Sequence, residues 1–165
     1  MALDLGADLH ESCLGIFPRH PDYTTLPIED GFDWSPLSGC AFDDLYLVVF
    51  RSVRRPDADL ILLREHDDRA YEEALRSGGL LRYFRGHAND RGECLSFCLW
   101  ETREKAREAA LAASHRSAAE IAARMYLSYV LDRYRLKKAG GKLIFERIRS
   151  GSREEPPAVS QKLQS

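Results

Sequence analysis

The run CLSFCLW at 94–100 carries the first hint of chemistry. Successive side chains of an extended strand point to opposite faces. Cys94, Ser96, Cys98 and Trp100 therefore share one face, and Leu95, Phe97 and Leu99 share the other. The mixed face sets a hydroxyl, two thiols and an indole beside side chains small enough to leave room for a ligand. Trp100 at the strand end has a ring to wall a pocket and an N–H to donate. Tyr83, Tyr129 and Tyr134 offer phenols to a quinone-like oxygen. His115 is a general base if it faces that space, because imidazole titrates near neutral pH. Arg133, Arg135, Lys137 and Lys138 on one strand, and Arg51, Arg54 and Arg55 on another, are placed to draw an anionic substrate or steady an enolate. Each of these has a plainer reading: buried thiols as small hydrophobes, Trp100 as packing, His115 as a surface or capping residue, and the cations as a solvated edge.

Other chemistries find no support. Cys94 and Cys98 lie on one strand face about 13 Å apart, too far for a disulfide or a shared metal ion. His66, Asp67 and Asp68 are consecutive on a helix and point in different directions, so they do not form a metal ligand set. There is no phosphate-cradling glycine loop and no nucleophile elbow.

These residues depend on the elements that carry them. LYLVVFRSV at 45–53, LLRYFRGH at 80–87, CLSFCLW at 94–100 and YVLDRYRLKK at 129–138 read as strands. Residues 57–77 read as a helix, with Asp67 interrupting its apolar stripe and Gly78-Gly79 stopping it. Thr102 is an N-cap for helical sequence over 103–113, and a second helical piece follows a break near Ser114 and Ser117. The order strand–helix–strand–strand–helix–strand is the ferredoxin-like plan, an α+β fold with an antiparallel sheet. KLIFERI at 142–148 follows Gly140-Gly141 and adds a hairpin arm. Three regions result: an irregular amino-terminal arm over 1–44 whose aromatics pack it onto the domain, a domain over 45–150, and a disordered tail over 151–165.

The totals narrow the class of function. The 165 residues carry 24 basic and 26 acidic side chains, a net charge of -2, which argues against a general nucleic-acid binder. No apolar run reaches the length of a bilayer span, so no membrane role is expected. The start has no basic or apolar region of a secretory signal, and four irregularly spaced cysteines do not make a disulfide framework. A reducing cytoplasm is the expected setting.

Residues 45–138 resemble the dimeric α+β barrel superfamily, and within it the antibiotic-biosynthesis-monooxygenase family. The most similar stretch is SFCLWETREKAREAALAASHRSAAE at 96–120, where a strand ending in Trp100 and Glu101 runs into an alanine-rich helix and then a polar turn. The resemblance implies a homodimer whose open sheet faces meet, with a cavity in each half for a small apolar or aromatic ligand. It implies an oxidoreductase that works without cofactor or metal, with Trp100 and a tyrosine positioning the substrate and His115 or Arg133 helping to remove a proton. Ser96, Cys98, Trp100, Tyr83 and Tyr129 are the expected ligand contacts. The haem-degrading branch fits poorly, since LYLVVFRSV lacks its asparagine and His115 would need an aromatic at Lys105. The alternative is a non-catalytic dimeric module that binds a ligand or scaffolds.

One face bears on all of this. The wholly apolar face of the third strand is expected under the helices, and the mixed face inside the barrel. A bare sheet face would need a second copy, or the arm folded across it.

Overall fold

In the computed structural model the chain is described from residue 5 to residue 149, with side chains described at 9–112, 116, 117 and 120–149. The expected tail over 151–165 lies outside the described residues. Five strands form one antiparallel sheet: β1 (Asp44–Arg54), β2 (Leu80–Phe84), β3 (Glu93–Trp100), β4 (Tyr126–Ala139) and β5 (Lys142–Ile148). Their spatial order is β2-β3-β1-β4-β5. The apolar run of β1 thus sits in the middle of the sheet, flanked by two strands on each side.

The helices follow from local signals. Helix α3 (Leu60–Ser77) starts after Asp59, whose side chain accepts a hydrogen bond from the Leu62 N–H at 3.0 Å. It ends at Gly78, where φ is +80°, a conformation that a Cβ would strain. Thr102 caps α4 (Arg103–Leu111) by accepting from the Lys105 N–H at 3.2 Å. Ala112 is extended and separates α4 from α5 (Ala113–Met125), so the break falls two residues before Ser114. Helix α3 joins β1 to β2, and α4 with α5 joins β3 to β4, which makes the ferredoxin-like plan.

The two sheet faces are covered in the reverse of the expected sense. The mixed face lies under α3 and α4, where Tyr46, Cys98 and Trp100 pack with Ala74, Ala106 and Ala109. The apolar face, with Leu45, Leu47, Val49, Leu95, Phe97 and Leu99, lies under the amino-terminal arm. Size explains the choice. Alanine-rich helices sit close to a sheet and leave room for tryptophan and tyrosine projecting from it. The arm instead brings Ile16, Ile28, Phe32, Trp34 and Leu37, which need continuous apolar ground.

The arm is more ordered than its prolines suggest. It contains α1 (Leu5–Cys13), α2 (Ile28–Gly31) and a 3-10 turn at Ser35–Leu37. Arg51 reaches from β1 to donate to the Thr24 and Leu26 carbonyls at 3.0 and 2.8 Å. Arg82 donates to the Ile16 carbonyl at 3.2 Å and stacks on Phe17. Neither sheet face is bare within one chain, so the argument that an open face demands a homodimer lapses. A dimer through that face would first require the arm to leave it.

Candidate functional site

Sheet register brings the sequence-predicted residues to one face. Tyr83 lies opposite Cys98, Cys98 opposite Val48, and Val48 opposite Arg133, a row that crosses four strands. Ser96 lies opposite Phe50, and Tyr129 opposite Ser52 on the same face. Three strand spacings of about 4.8 Å put the Tyr83 and Arg133 backbones about 14 Å apart. The whole set faces the helices. Placement on the second and fourth strands was open in the sequence; on β2 a bulge between Leu80 and Arg82 breaks strict alternation. Leu80 and Tyr83 therefore turn to the helix side, while Leu81 and Phe84 turn to the arm.

The polar centre is a pair that the sequence only half revealed. The Tyr83 hydroxyl lies 2.8 Å from both oxygens of Asp67 on α3, to which it donates. Arg85 forms ion pairs with Asp67 at 2.6 Å and with Asp68 at 2.5 Å. Asp67 was visible as a carboxylate breaking an apolar stripe. Its purpose needs the third dimension, since sixteen residues separate it from Tyr83. Arg85 gave no such signal.

The remaining residues differ in role. The Ser96 hydroxyl accepts from the Gly86 N–H at 3.0 Å. Cys98 and Cys94 are buried free thiols. Tyr129 is half-buried, its ring stacked on Tyr126 at 5.6 Å and tilted against Phe50 at 6.3 Å. Arg133 is half-buried. Trp100 is only 3% exposed and packs on the helix alanines. His115 lies on α5, with its side chain outside the described residues. Among the described residues no three histidine, cysteine or carboxylate side chains converge as a metal ligand set.

Burial governs the acids here. It pushes the Tyr83 phenol well up, and the Asp67 charge adds to it, so the hydroxyl stays protonated and donates. Burial likewise raises Tyr129 and then the neighbouring Tyr126 adds to it. The Cys98 thiol rises by burial and then by Asp67. On the arm side burial pushes Cys13 from 9.0 up to about 12.

The sign of the pH dependence follows. These groups keep their protons in the folded chain over a range where the unfolded chain has lost them. The unfolded state then binds fewer protons, so stability is full below the ordinary thiol value and falls as pH rises above it. For Cys13 that window runs from 9.0 to about 12. Urea melts are expected to show a steady loss of stability between about pH 9 and about pH 11, with a limiting slope near 1.4 kcal/mol per pH unit per group. A flat profile there would mean that the thiols and phenols are not buried.

The strand order, the two crossovers and the helix-side row define a ferredoxin-like α+β protein with a docked amino-terminal arm. The chain belongs to the PB2B2.08-like family, whose model matches residues 3–147 and so takes in both arm and sheet. It is 32% identical over 109 residues to the UPF0643 protein PB2B2.08 of Schizosaccharomyces pombe, a match covering 61% of this chain. The chain spans about half the length of that curated relative. Among solved structures it is similar to Rv0793 from Mycobacterium tuberculosis, with 19% identity and a TM-score of 0.48 over 54% of this chain and 91% of that one. It is also similar to SnoaB, a cofactor-independent oxygenase from Streptomyces nogalater, with 12% identity and a TM-score of 0.48 over 61% of this chain and all of that one. No helix among the described residues is long and apolar enough to cross a membrane.

Proposed function

We propose that the chain binds a small apolar or aromatic molecule against the helix-covered face of its sheet. The observation that carries this reading is the Tyr83–Asp67 pair. A protonated phenol is held against a carboxylate between two layers, and Tyr83, with Ser96, Tyr129 and Arg133 further along the same sheet face, is only half-buried, as they are. A face that lies beneath helices yet keeps polar groups within reach of solvent supports a ligand cleft. The ligand body would lie on the half-buried Phe50 and Tyr129, with oxygens toward Tyr83 at one end and Arg133 at the other.

The finer reading is cofactor-independent monooxygenation. The substrate methylene passes a C–H proton to the Tyr83 oxygen as the Tyr83 proton moves to Asp67, and the C–H electron pair stays on the carbon. The resulting carbanion reduces dioxygen. One oxygen atom becomes a ring carbonyl, and the other leaves as water with the two hydrogens of the oxidised methylene. Oxygen uptake with 1,8-dihydroxyanthrone tests it. Tyr83→Phe is expected to lower the rate at least about a hundredfold, as loss of a proton relay does, while leaving the anthrone affinity within a few-fold. Uptake unchanged in Tyr83→Phe would remove the pair from the reaction.

A specific observation favours a second reading, a non-catalytic binding or scaffold module. Trp100 fills its corner of the layer, and Arg85 already compensates the Asp67 charge. Anthrone binding by calorimetry without oxygen uptake would select this reading. Absence of both would refute a ligand of this class at the helix-side face.

A further inference from the structure

Arg51, Arg54 and Arg55 stand together at the end of β1, and they are partnered unequally. Arg51 pairs with Asp132 at 3.8 Å, and Arg55 pairs with Asp57 at 3.5 Å. Arg54 pairs with no carboxylate among the described residues, and its Nε is buried with no acceptor among them.

Register places this arginine. It lies opposite Tyr126, while Ser52, two residues earlier, lies opposite both Tyr129 and Cys94. Alternation turns Arg54 to the same side as Ser52, which is the helix side. Two residues of strand span about 7 Å, within the reach of an arginine side chain. Phe50, Tyr126 and Tyr129 are half-buried there, with Tyr126 stacked on Tyr129 at 5.6 Å.

The groups against the guanidinium carry no charge. They are the Tyr126 hydroxyl and the Cys94 thiol, and burial raises both, so they keep their protons. Asp67 is committed to Tyr83 and Arg85. A half-buried cation with a buried donor unmet weighs against the folded chain until an acceptor reaches it.

We propose that Arg54 receives a carboxylate of the ligand, so that the molecule bound on the helix-side face is an aromatic acid and not a neutral aromatic. The inference rests on the ligand reading above and narrows it. The ring system lies on Phe50 and Tyr129, and the carboxylate turns toward Tyr126, where the guanidinium donates to it.

The test uses the full chain and two probes that differ in one group, 1,8-dihydroxyanthrone and its 3-carboxylate. Both are titrated by calorimetry without oxygen. The carboxylate is expected to bind at least about tenfold tighter, the scale of a charge-assisted hydrogen bond. Arg54→Met keeps the aliphatic stem and loses the charge and the donors. It is expected to erase the preference by weakening the carboxylate far more than the neutral anthrone. Arg54→Lys keeps the charge and is expected to fall between Arg54→Met and the unaltered chain. Arg76, an exposed cation on α3 paired with Glu72, is the control, and Arg76→Met is expected to keep the full preference. Equal affinity of the unaltered chain for the two probes would overturn the assignment. Loss of both probes alike in Arg54→Met would overturn it too, since Arg54 would then act by packing. If neither probe binds the unaltered chain, the ligand reading itself fails. Anthrone binding with no carboxylate preference leaves that reading standing and removes only the part given to Arg54.

Discussion

Replacing Gly86 by alanine is expected to destabilise the chain by about 3 kcal/mol or more. A Cβ on Gly86 would lie 1.9 Å from the Leu95 carbonyl oxygen and 2.9 Å from its carbon. Both are backbone atoms of the neighbouring strand, so no side-chain rotation relieves the contact. The strands would have to part where the Gly86 N–H reaches Ser96 and where the Tyr23 hydroxyl accepts from the His87 N–H at 3.2 Å. Damage would therefore reach the arm as well as the row that ends at Tyr83. Gly39→Ala is the control, since nothing lies within 4 Å of its would-be Cβ and its change is expected to stay within about 0.5 kcal/mol. Urea midpoints measure both. Similar values for the two variants would mean that the segment following β2 does not approach β3 this closely.

Phe32→Ala is expected to cost about 3 to 5 kcal/mol and to loosen the arm. Phe32 is 1% exposed and stands at the centre of an aromatic cluster. Its ring centroid is 5.0 Å from that of Phe84, 5.1 Å from Phe97 and 5.4 Å from Tyr23, all in edge-to-face contact. Phe84 and Phe97 belong to the sheet, while Tyr23 and Trp34 belong to the arm, so one ring joins the two layers. Truncation removes its own burial and leaves the four neighbours facing a cavity. Tryptic cleavage at the exposed Arg19 is expected to quicken in the variant, because a loosened arm opens to the protease. A loss below about 1 kcal/mol with unchanged cleavage would show that the arm is held by its hydrogen bonds and not by this cluster.

The two effects are large for one reason. None of α3, α4 and α5 packs on the apolar sheet face, so the arm, with its short helices α1 and α2, supplies that half of the core. Arg51, Arg82 and Lys138 tie the arm's carbonyls to the sheet, but the aromatic contact gives them something to hold in place. Any displacement of the arm would uncover Leu47, Val49, Phe97 and Leu99 together.

What the residues alone determined was local. Alternating and continuous apolar runs marked four strands, β-branched content put 45–53 at the centre, and Gly140-Gly141 marked the turn into 142–148. Thr102 and Gly78 marked helix ends through backbone needs that neighbours in sequence suffice to define. From these, the strand and helix order followed, and with it the α+β plan.

Tertiary structure alone decided which face met which layer. Both faces of β3 are apolar enough to be buried, so hydrophobicity could not rank them. Volume did: close-packing alanines took the face with Trp100, and the bulky arm took the face with Phe97. The β2 bulge turned Tyr83 toward α3, where an acid that looked like a flaw in an apolar stripe met it at hydrogen-bonding distance. Alternation and periodicity describe one element at a time. A contact between Asp67 and Tyr83, or between Phe32 and Phe97, depends on how separate elements are stacked, and only the assembled layers specify that.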